Sequence, residues 1–173
     1  PKSLSFKDRE ISARAQELTV RSIQGDHFTL GEFGKINIKN DLDVILMRQD
    51  PPFDMSYITA THMLEHVHPA TLVVNDPVNV RNAPEKLFIT HFRDVMPPTL
   101  ITNDKNEVEV FRKEYKDIIV KPLYGNGGAG VFHIKPNDEN LSSLLELYES
   151  FYKEPLIVQQ YLPKVREGDK RVI

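Results

Sequence analysis

The chain has 173 residues, of which 40% are hydrophobic and 27% charged, and this composition is ordinary for a folded protein. A net charge of −3 argues against a dedicated nucleic-acid surface, and no apolar run approaches the roughly 18 residues that a membrane span requires. Cysteine is absent, which excludes disulfides, thiolate metal sites and cysteine nucleophiles, and no signal peptide is visible, so we expect a cytoplasmic globular protein without nucleic-acid or membrane partners.

The first half of the chain combines a weakly patterned segment with a strand–helix–strand unit. Residues 10–20 partly alternate between polar and apolar side chains and predict an exposed strand, and the glycines of 25–39 suggest a loop or hairpin. The apolar runs 42–47 and 71–75 predict two buried parallel strands. Asp54 is expected to cap the helix between them. Four side chains are expected to form the inward face of that helix: Tyr57, Ala60, Leu64 and Val67.

The second half of the chain reads as alternating strands and helices. A helix is predicted over 85–95 and would end before Pro97. Its expected inward-facing residues are Leu87, Phe88, His91, Phe92 and Val95. Strands are predicted over 99–102, 117–123, 131–135 and 156–162. Two further helices carry apolar stripes: Val108, Phe111 and Tyr115 in one, and Leu141, Leu144, Leu145 and Tyr148 in the other.

A cluster of proline and asparagine residues at 75–84 indicates a boundary between two lobes. We predict a parallel βαβ domain over 1–83 with a right-handed crossover and an α+β lobe over 84–173, so that the overall fold class is α/β. The chain begins in weakly patterned sequence, and residues 171–173 look like the opening of a strand. We therefore expect an internal fragment, with material missing at both ends.

Residues 125–130 form a glycine-rich loop between two predicted strands. Its four glycines free the backbone to take positive φ values and to approach a ligand closely, and consecutive amides in such a turn suit an anion such as phosphate. The loop is not a Walker A motif, because no Gly-Lys-Ser/Thr ends it, and it is not a Rossmann fingerprint, because a strand rather than a helix follows. The alternative is a tight hairpin, which needs fewer glycines.

Lys121 lies four residues before this loop, on the apolar strand predicted over 117–123. A lysine with apolar neighbours is rarely fully buried without a partner, and a bound phosphate would satisfy its charge. The alternative is an edge lysine whose stem packs while its ammonium group reaches water. Lys86, at the start of a predicted helix, carries no such signal by itself, because lysines in a first turn are usually solvated.

The end of the strand predicted over 156–162 and the irregular segment after it are candidates for nucleotide binding. Gln160, Tyr161 and Leu162 end the strand, and the backbone N–H and C=O groups there can meet the edge of an adenine base. Asp169 would then reach ribose hydroxyls, and the guanidinium group of Arg171 is shaped to stabilise charge on a phosphate. An ordinary strand followed by a turn is the alternative.

Three histidines, His62, His66 and His68, are candidate metal ligands. His62 and His66 lie four residues apart on one predicted helix, a spacing that can bind zinc. No Glu-x-x-His motif accompanies them, and His62 lies off the apolar stripe. We therefore expect a solvated helix face and no metal ligands in this chain.

Several motifs occur in the order typical of ATP-grasp enzymes: Lys86, the Ile-Val-Lys-Pro-Leu strand with Lys121, the loop 125–130, Gln-Gln-Tyr-Leu and Gly-Asp-Lys-Arg. The first lobe narrows the resemblance. Residues 44–54, Val-Ile-Leu-Met-Arg-Gln-Asp-Pro-Pro-Phe-Asp, closely resemble a segment of bacterial glutathione synthetases, as do residues 75–77 and 82–88. The resemblance covers residues 42–173 and implies a partial ATP-grasp fold, preceded by a pre-ATP-grasp domain over 1–83 that lacks its first strand.

The resemblance implies ATP-dependent ligation of γ-glutamylcysteine and glycine through an acyl phosphate, with ATP and Mg²⁺ as cofactors. Carried over residue by residue, the ATP contacts are Lys86, Lys121, Gly125, Gly127, Gly128, Ala129, Gly130, Gln160, Tyr161, Leu162 and Asp169. Arg171 would be the catalytic residue and would touch the transferring phosphate or the acyl phosphate, and Arg48 and Asp50 would contact the peptide substrate. The family's Mg²⁺ ligands lie beyond Ile173, so we expect this chain to be inactive alone. The family also implies a homo-oligomer, typically a tetramer.

Three alternatives to that activity stay open. Another ATP-grasp ligase, such as a D-alanine–D-alanine ligase or a ribosomal-protein glutamate ligase, shares the lysines and the glycine loop but not the segment 48–54. A non-catalytic ATP-binding module would bind ATP without carboxylate-dependent ADP production. A plain α/β domain, whose glycine loop is only a turn, would have no affinity for nucleotides.

Overall fold

The structure is a computed structural model that describes residues 2–170. Its contacts separate two compact units, Pro1–Pro84 and Glu85–Ile173, and each has a hydrophobic core of its own. No helix within residues 2–170 has the length and apolarity needed to cross a membrane. The strand predicted to open at 171–173 lies outside the described residues.

The first unit opens with an antiparallel sheet of three strands. They are β1 Ser5–Lys7, β2 Glu10–Val20 and β3 Phe28–Asn37. β2 and β3 form a long hairpin, in which Ser12 lies opposite Asn37 and Val20 opposite Phe28. Most side chains of this hairpin are exposed, as predicted for residues 10–20.

A strand–helix–strand unit follows the hairpin. Its elements are α1 Ile38–Asp41, β4 Val44–Leu46, α2 Met55–Glu65, β5 Leu72–Val74 and α3 Pro77–Asn82. β4 and β5 pair in parallel, which confirms the predicted βαβ arrangement. Asp54 caps α2 as predicted, since its Oδ1 accepts a hydrogen bond from the Tyr57 N–H at 2.9 Å. The sequence patterns missed α3, which begins directly after its N-cap Asp76, inside the segment interpreted as a boundary.

The core of the first unit contains Ile11, Ile38, Leu64, Val67 and Val73. Leu64 comes from α2, and Val67 comes from the turn after it. Ala60 is also buried and Tyr57 is partly buried, so the predicted inward face of this helix is confirmed.

The two parallel strands are not buried along their length, which corrects the prediction made from the runs 42–47 and 71–75. Val73 is buried, but its neighbours Leu72 and Val74 are 46% and 39% exposed. In β4, Val44 and Leu46 are also exposed. Successive side chains of a strand point to opposite faces, and among the described residues only one face of this sheet packs against a core. The apolar runs therefore predicted the strands but not their burial.

The second unit is a four-stranded antiparallel sheet with the order β6–β9–β7–β8. Its elements are α4 Glu85–Phe88, β6 Thr99–Thr102, α5 Lys105–Tyr115, β7 Ile118–Pro122, β8 Phe132–Ile134, α6 Leu141–Phe151 and β9 Leu156–Gln160. Helices α5 and α6 pack on one face of the sheet, where their apolar stripes meet Ile118, Val120 and Val158. The predicted strands and the two helix stripes of this half are confirmed.

The single helix predicted over 85–95 is wrong. Helix α4 is followed by two short 3₁₀ helices, Ile89–His91 and Arg93–Val95, and Phe92 between them has a non-helical backbone at φ −115° and ψ 55°. Four of the side chains expected to face inward, Phe88, His91, Phe92 and Val95, are exposed, Val95 by 85%, and Leu87 is half-buried. Tertiary packing of an apolar face supplies most of the stability of a short helix, and this segment lacks such packing within the described unit.

Candidate functional site

The face of the second sheet opposite α5 and α6 carries a cleft of about 510 Å³. Ile118 and Val120 of β7 point into the core, so Ile119 and Lys121 point into the cleft, because successive strand side chains alternate. The lining residues are Pro97, Ile119, Lys121, Val131, His133, Gln159, Gln160, Tyr161, Leu162, Val165 and Arg166. The volume falls in the range of small-molecule sites, roughly 300–1,000 Å³.

Four residues assigned to ATP from the sequence line this cleft: Lys121, Gln160, Tyr161 and Leu162. The strand end that carries the last three is held by backbone hydrogen bonds. The Gln160 N–H donates to the Pro98 carbonyl at 3.0 Å, and the Tyr161 N–H donates to the Asp117 carbonyl at 2.9 Å. Gln159 Nε2 also donates to Thr99 Oγ1 at 2.9 Å. One wall of the cleft is therefore tied to neighbouring strands before any ligand binds.

Lys86 and Lys121 both belong to the second unit and lie close enough for their charges to interact. Burial lowers the pKa of Lys121, the positive charge of Lys86 lowers it further, and Glu85 acts in the opposite direction with the smallest effect. Burial also lowers the pKa of Lys86, against the attraction of Glu85. Two partly desolvated ammonium groups beside one another favour an anionic ligand, because an anion offsets both desolvation and mutual repulsion.

Lys86 also holds the entrance of the glycine-rich loop. Its Nζ donates to the carbonyl of Pro122 at 2.8 Å and to the carbonyl of Gly125 at 2.9 Å. These carbonyls lie 36 and 39 residues away along the chain. An ammonium group has three N–H donors, so one is left for a ligand. The sequence carried no signal for this contact beyond the family resemblance.

The glycine-rich loop is exposed at its tip and crowded at its ends. Gly127 and Gly128 have φ values of +61° and +75°, and a Cβ on either would meet nothing within 4 Å. A Cβ on Gly125 would lie 2.9 Å from Pro122 Cγ. At Gly130, where φ is +67°, a Cβ would lie 3.2 Å from Pro122 Cδ. The end glycines are therefore required by packing, whereas the tip glycines leave backbone amides open to a ligand.

Tyr148 of α6 anchors the far end of this loop. Its hydroxyl donates to the Gly130 carbonyl and also lies 3.3 Å from the Val120 carbonyl. Burial raises the pKa of Tyr148 to about 12, with a further contribution from Tyr152. A neutral, buried donor therefore fixes the loop exit to the helix on the other face of the sheet.

We expect Tyr148→Phe to lower the free energy of unfolding by about 1–2 kcal/mol at neutral pH, because two carbonyls lose a buried donor. The folded pKa of about 12 is above the ordinary tyrosine value near 10, so the hydroxyl stabilises fully below pH 10. This contribution is lost as the pH rises toward 12, because the unfolded state releases the proton first. Urea unfolding at several pH values between 8 and 12 tests this.

The neighbouring Tyr152→Phe is the matched control for that experiment, since the two rings pack 5.6 Å apart. Tyr148→Phe should cost more stability at neutral pH than Tyr152→Phe, and the cost of Tyr148→Phe should shrink above pH 10. An equal response of the two variants would contradict the anchoring role.

Seven of the eleven residues that line the cleft were not predicted as site residues, and His133 and Arg166 are the charged or titratable side chains among them. His133 stacks on Tyr161 with ring centroids 3.9 Å apart and an interplanar angle of 22°. Arg166 Nε donates to the Tyr161 hydroxyl at 3.0 Å. The strand predicted over 131–135 would have placed the His133 side chain on the same face as that of Val131, because alternate residues of a strand share a face.

Other predicted site residues are not gathered at this cleft. Asp169 is exposed in the irregular segment after the 3₁₀ helix Pro163–Glu167, and Arg171 lies outside the described residues. Arg48 and Asp50 are exposed in the first unit, in the segment that follows β4. The roles assigned to these four residues stay predictions.

The three histidines considered as metal ligands, all in the first unit, make local contacts. His62 Nδ1 lies 3.9 Å from Glu65 Oε2, and the His66 ring packs 5.3 Å from that of Phe6. His68 accepts a hydrogen bond from the Val73 N–H and lies 3.3 Å from the Asp76 carboxylate. Within residues 2–170, no group of three or more His, Asp or Glu side chains is arranged to hold a metal ion.

A second cavity of about 310 Å³ lies on the helical side of the second sheet. Lys105 and Glu149 border it and form an ion pair at 2.7 Å. It contains none of the residues predicted to bind nucleotide, so the candidate site is the larger cleft.

Two family models match the chain. The model of the prokaryotic glutathione synthetase N-terminal domain matches residues 1–81, and that of the prokaryotic glutathione synthetase ATP-grasp domain matches residues 85–173. The chain belongs to the prokaryotic glutathione synthetase family. Membership is consistent with the way in which the second unit brings Lys86, Lys121 and the glycine loop together.

Curated glutathione synthetases align along the whole chain. Those of Brucella melitensis and Agrobacterium fabrum are 59% and 57% identical over 173 residues. The alignment covers 100% of this chain but only 55% and 54% of those proteins. The chain therefore spans about half the length of these relatives.

Solved structures resemble the fold at low sequence identity. D-alanyl-alanine synthetase A from Vibrio cholerae has a TM-score of 0.54 at 14% identity and covers 92% of this chain and 48% of its own. A RimK domain ATP-grasp protein from Sphaerobacter thermophilus has a TM-score of 0.53 at 17% identity, covering 72% and 47%. The expected fold, a partial ATP-grasp domain preceded by an N-terminal domain, is thereby confirmed.

Proposed function

We propose that this chain supplies the nucleotide-binding half of a glutathione synthetase, which joins γ-glutamylcysteine and glycine at the expense of ATP through an acyl phosphate. The observation that carries the proposal is the pair of partly desolvated lysines, Lys86 and Lys121, beside a glycine loop and a cleft. The identity of 59% to a curated glutathione synthetase supports the choice of substrates.

The chemistry assigns a role to each part of the cleft. Lys121 and the free donor of Lys86 bind phosphate oxygens and offset the repulsion between the nucleotide and a carboxylate substrate. The tip amides of the loop 125–130 cover the phosphates and exclude water, which limits hydrolysis of the acyl phosphate. Apolar Ile119 and Val131 pack on the base, and the segment 160–162 meets its edge.

Mg²⁺ is part of the proposal, but its ligands are not among the described residues. Phosphoryl transfer from ATP normally requires a divalent ion that bridges phosphate oxygens. The residues 2–170 offer no cluster of carboxylates or imidazoles suited to such an ion. We therefore assign no step of the mechanism to a metal held by this chain. From the family alone we infer a homo-oligomer that acts in the cytoplasm on small molecules.

The test is ADP formation by the full-length gene product with Mg-ATP, γ-glutamylcysteine and glycine, each omitted in turn. We expect turnover only when all are present, because the amine attacks an acyl phosphate that forms only on the peptide carboxylate. The 173-residue chain alone should bind ATP without turnover. ATP binding by the full-length product without turnover would reject the ligation and leave an ATP-binding module or another acceptor.

A further inference from the structure

A line of four side chains runs along one wall of the cleft. Asp117 Oδ1 lies 3.2 Å from His133 Nε2. The imidazole ring stacks on Tyr161 at 3.9 Å between centroids, and the Tyr161 hydroxyl accepts a hydrogen bond from Arg166 Nε at 3.0 Å. His133, Tyr161 and Arg166 all line the cleft. Lys86 and Lys121, to which we assign phosphate binding, take part in none of these contacts.

Asp117 holds two members of this line at once. Its carboxylate orients the imidazole, and its backbone carbonyl accepts the N–H of Tyr161 at 2.9 Å. The histidine ring therefore lies against the tyrosine whose backbone is tied to the same aspartate. One face of the Tyr161 ring is covered by His133, so that face is closed to a nucleotide base.

We propose that His133, oriented by Asp117, is a positioning residue for the nucleotide: by stacking on Tyr161 it holds the segment 160–162 in the path that meets the base edge. The inference rests on the proposed function, since it takes the cleft as a nucleotide site. The imidazole acts through Tyr161. It does not act on the reacting groups, which we place at the end of the cleft near Lys121 and the loop 125–130. Loss of the ring should weaken ATP binding and leave the chemical step unchanged.

The test measures the Kd for ATP, the KM for each substrate and kcat in the full-length gene product carrying His133→Ala. We expect Kd and KM for ATP to rise roughly three- to tenfold, the effect of losing one aromatic stacking partner. We expect kcat and the KM values for γ-glutamylcysteine and glycine to stay within about twofold, because a positioning residue for the base makes no contact with the acceptor.

Two further variants separate stacking from other roles. His133→Phe keeps the ring and loses the bond to Asp117, so it should recover most of the ATP affinity. His27→Ala is the matched control, because His27 is exposed in the first unit, outside the cleft. It should behave as the unaltered protein.

The proposal is overturned if His133→Ala binds ATP as the unaltered protein does, or if His133→Phe is as weak as His133→Ala. A fall in kcat and a rise in every KM, together with a lower melting temperature, would also overturn it, because that pattern marks a general structural defect. If the unaltered protein binds ATP but makes no glutathione, the proposed function fails, and the Kd comparison still decides the role of His133.

Discussion

Replacing Lys121 with methionine lowers kcat/KM for ATP by about 100-fold or more, the effect of removing one preorganised charge from a phosphate site. Lys121 points into the cleft from β7, and the structure shows its charge close to that of Lys86. Methionine keeps the length of the apolar stem, so the packing beside Ile119 is retained. Steady-state kinetics of the full-length gene product with varied ATP provide the measurement.

The same variant should not lose stability, which distinguishes a ligand-binding lysine from a structural one. Burial lowers the pKa of Lys121, so the charged form is disfavoured in the folded state at neutral pH. The folded pKa lies below the unfolded value of about 10.5. The free-energy cost of keeping Lys121 charged in the folded state therefore decreases as the pH rises from the folded pKa toward 10.5. Lys121→Met should therefore unfold at an equal or higher urea concentration at pH 7, and its advantage should shrink by pH 10.

Lys135→Met is the matched control for the charge change, because Lys135 is exposed immediately after β8 and does not line the cleft. It should keep the unaltered kcat/KM. A loss of stability in Lys121→Met comparable to its loss of activity would contradict the assignment of this lysine to the nucleotide.

Gly130→Val should both destabilise the second unit and abolish tight ATP binding. A β-branched residue at φ +67° is strained, and its Cβ would lie 3.2 Å from Pro122 Cδ and 3.4 Å from the Tyr152 hydroxyl. We expect the free energy of unfolding to fall by about 2–4 kcal/mol from strain and overpacking together. The displaced carbonyl also loses the Tyr148 hydroxyl that anchors the loop. Urea unfolding and equilibrium ATP binding measure the two effects.

Gly127→Val is the comparison that separates the two ends of the loop. Its φ of +61° imposes a similar backbone strain, but nothing lies within 4 Å of the added Cβ, so an exposed tip can relax. It should lower the free energy of unfolding by about 1 kcal/mol or less, because an exposed loop tip without neighbours can change its backbone conformation to relieve the strain. It should still weaken ATP binding, because the added side chain covers the backbone amides of the loop tip. Equal losses of stability in the two variants would refute the distinction between a packed end and an open tip.

Local patterns determined most elements of the second unit. Short runs of apolar residues within 117–123 and 156–162 predicted β7 and β9. The stripe Leu141, Leu144, Leu145 and Tyr148 predicted α6, because helical periodicity reflects which face is buried. Asp54 marked the start of α2 by the same local logic, since an N-cap bonds an amide within its own first turn. The glycine-rich loop and Lys121 were equally readable, because both signals lie within one short stretch of the chain.

The sequence predicted the type of each element better than it predicted which side chains are buried. The runs 42–47 and 71–75 place apolar side chains on both faces of their strands. Whether each face is buried depends on which other elements pack against it, and the local sequence of a strand does not contain that information. The helix predicted over 85–95 failed in the same way, because its apolar side chains meet no core within the described unit.

The tertiary structure alone decided how the site is assembled. β9 is the last strand of residues 2–170 but lies between β6 and β7, which brings Tyr161 beside His133 and Asp117. Lys86 reaches the loop carbonyls across 36 and 39 residues, and Tyr148 reaches Gly130 from the opposite side of the sheet. Such contacts depend on strand order and on the closing of long loops, and neither leaves a trace in the local periodicity from which the elements were predicted.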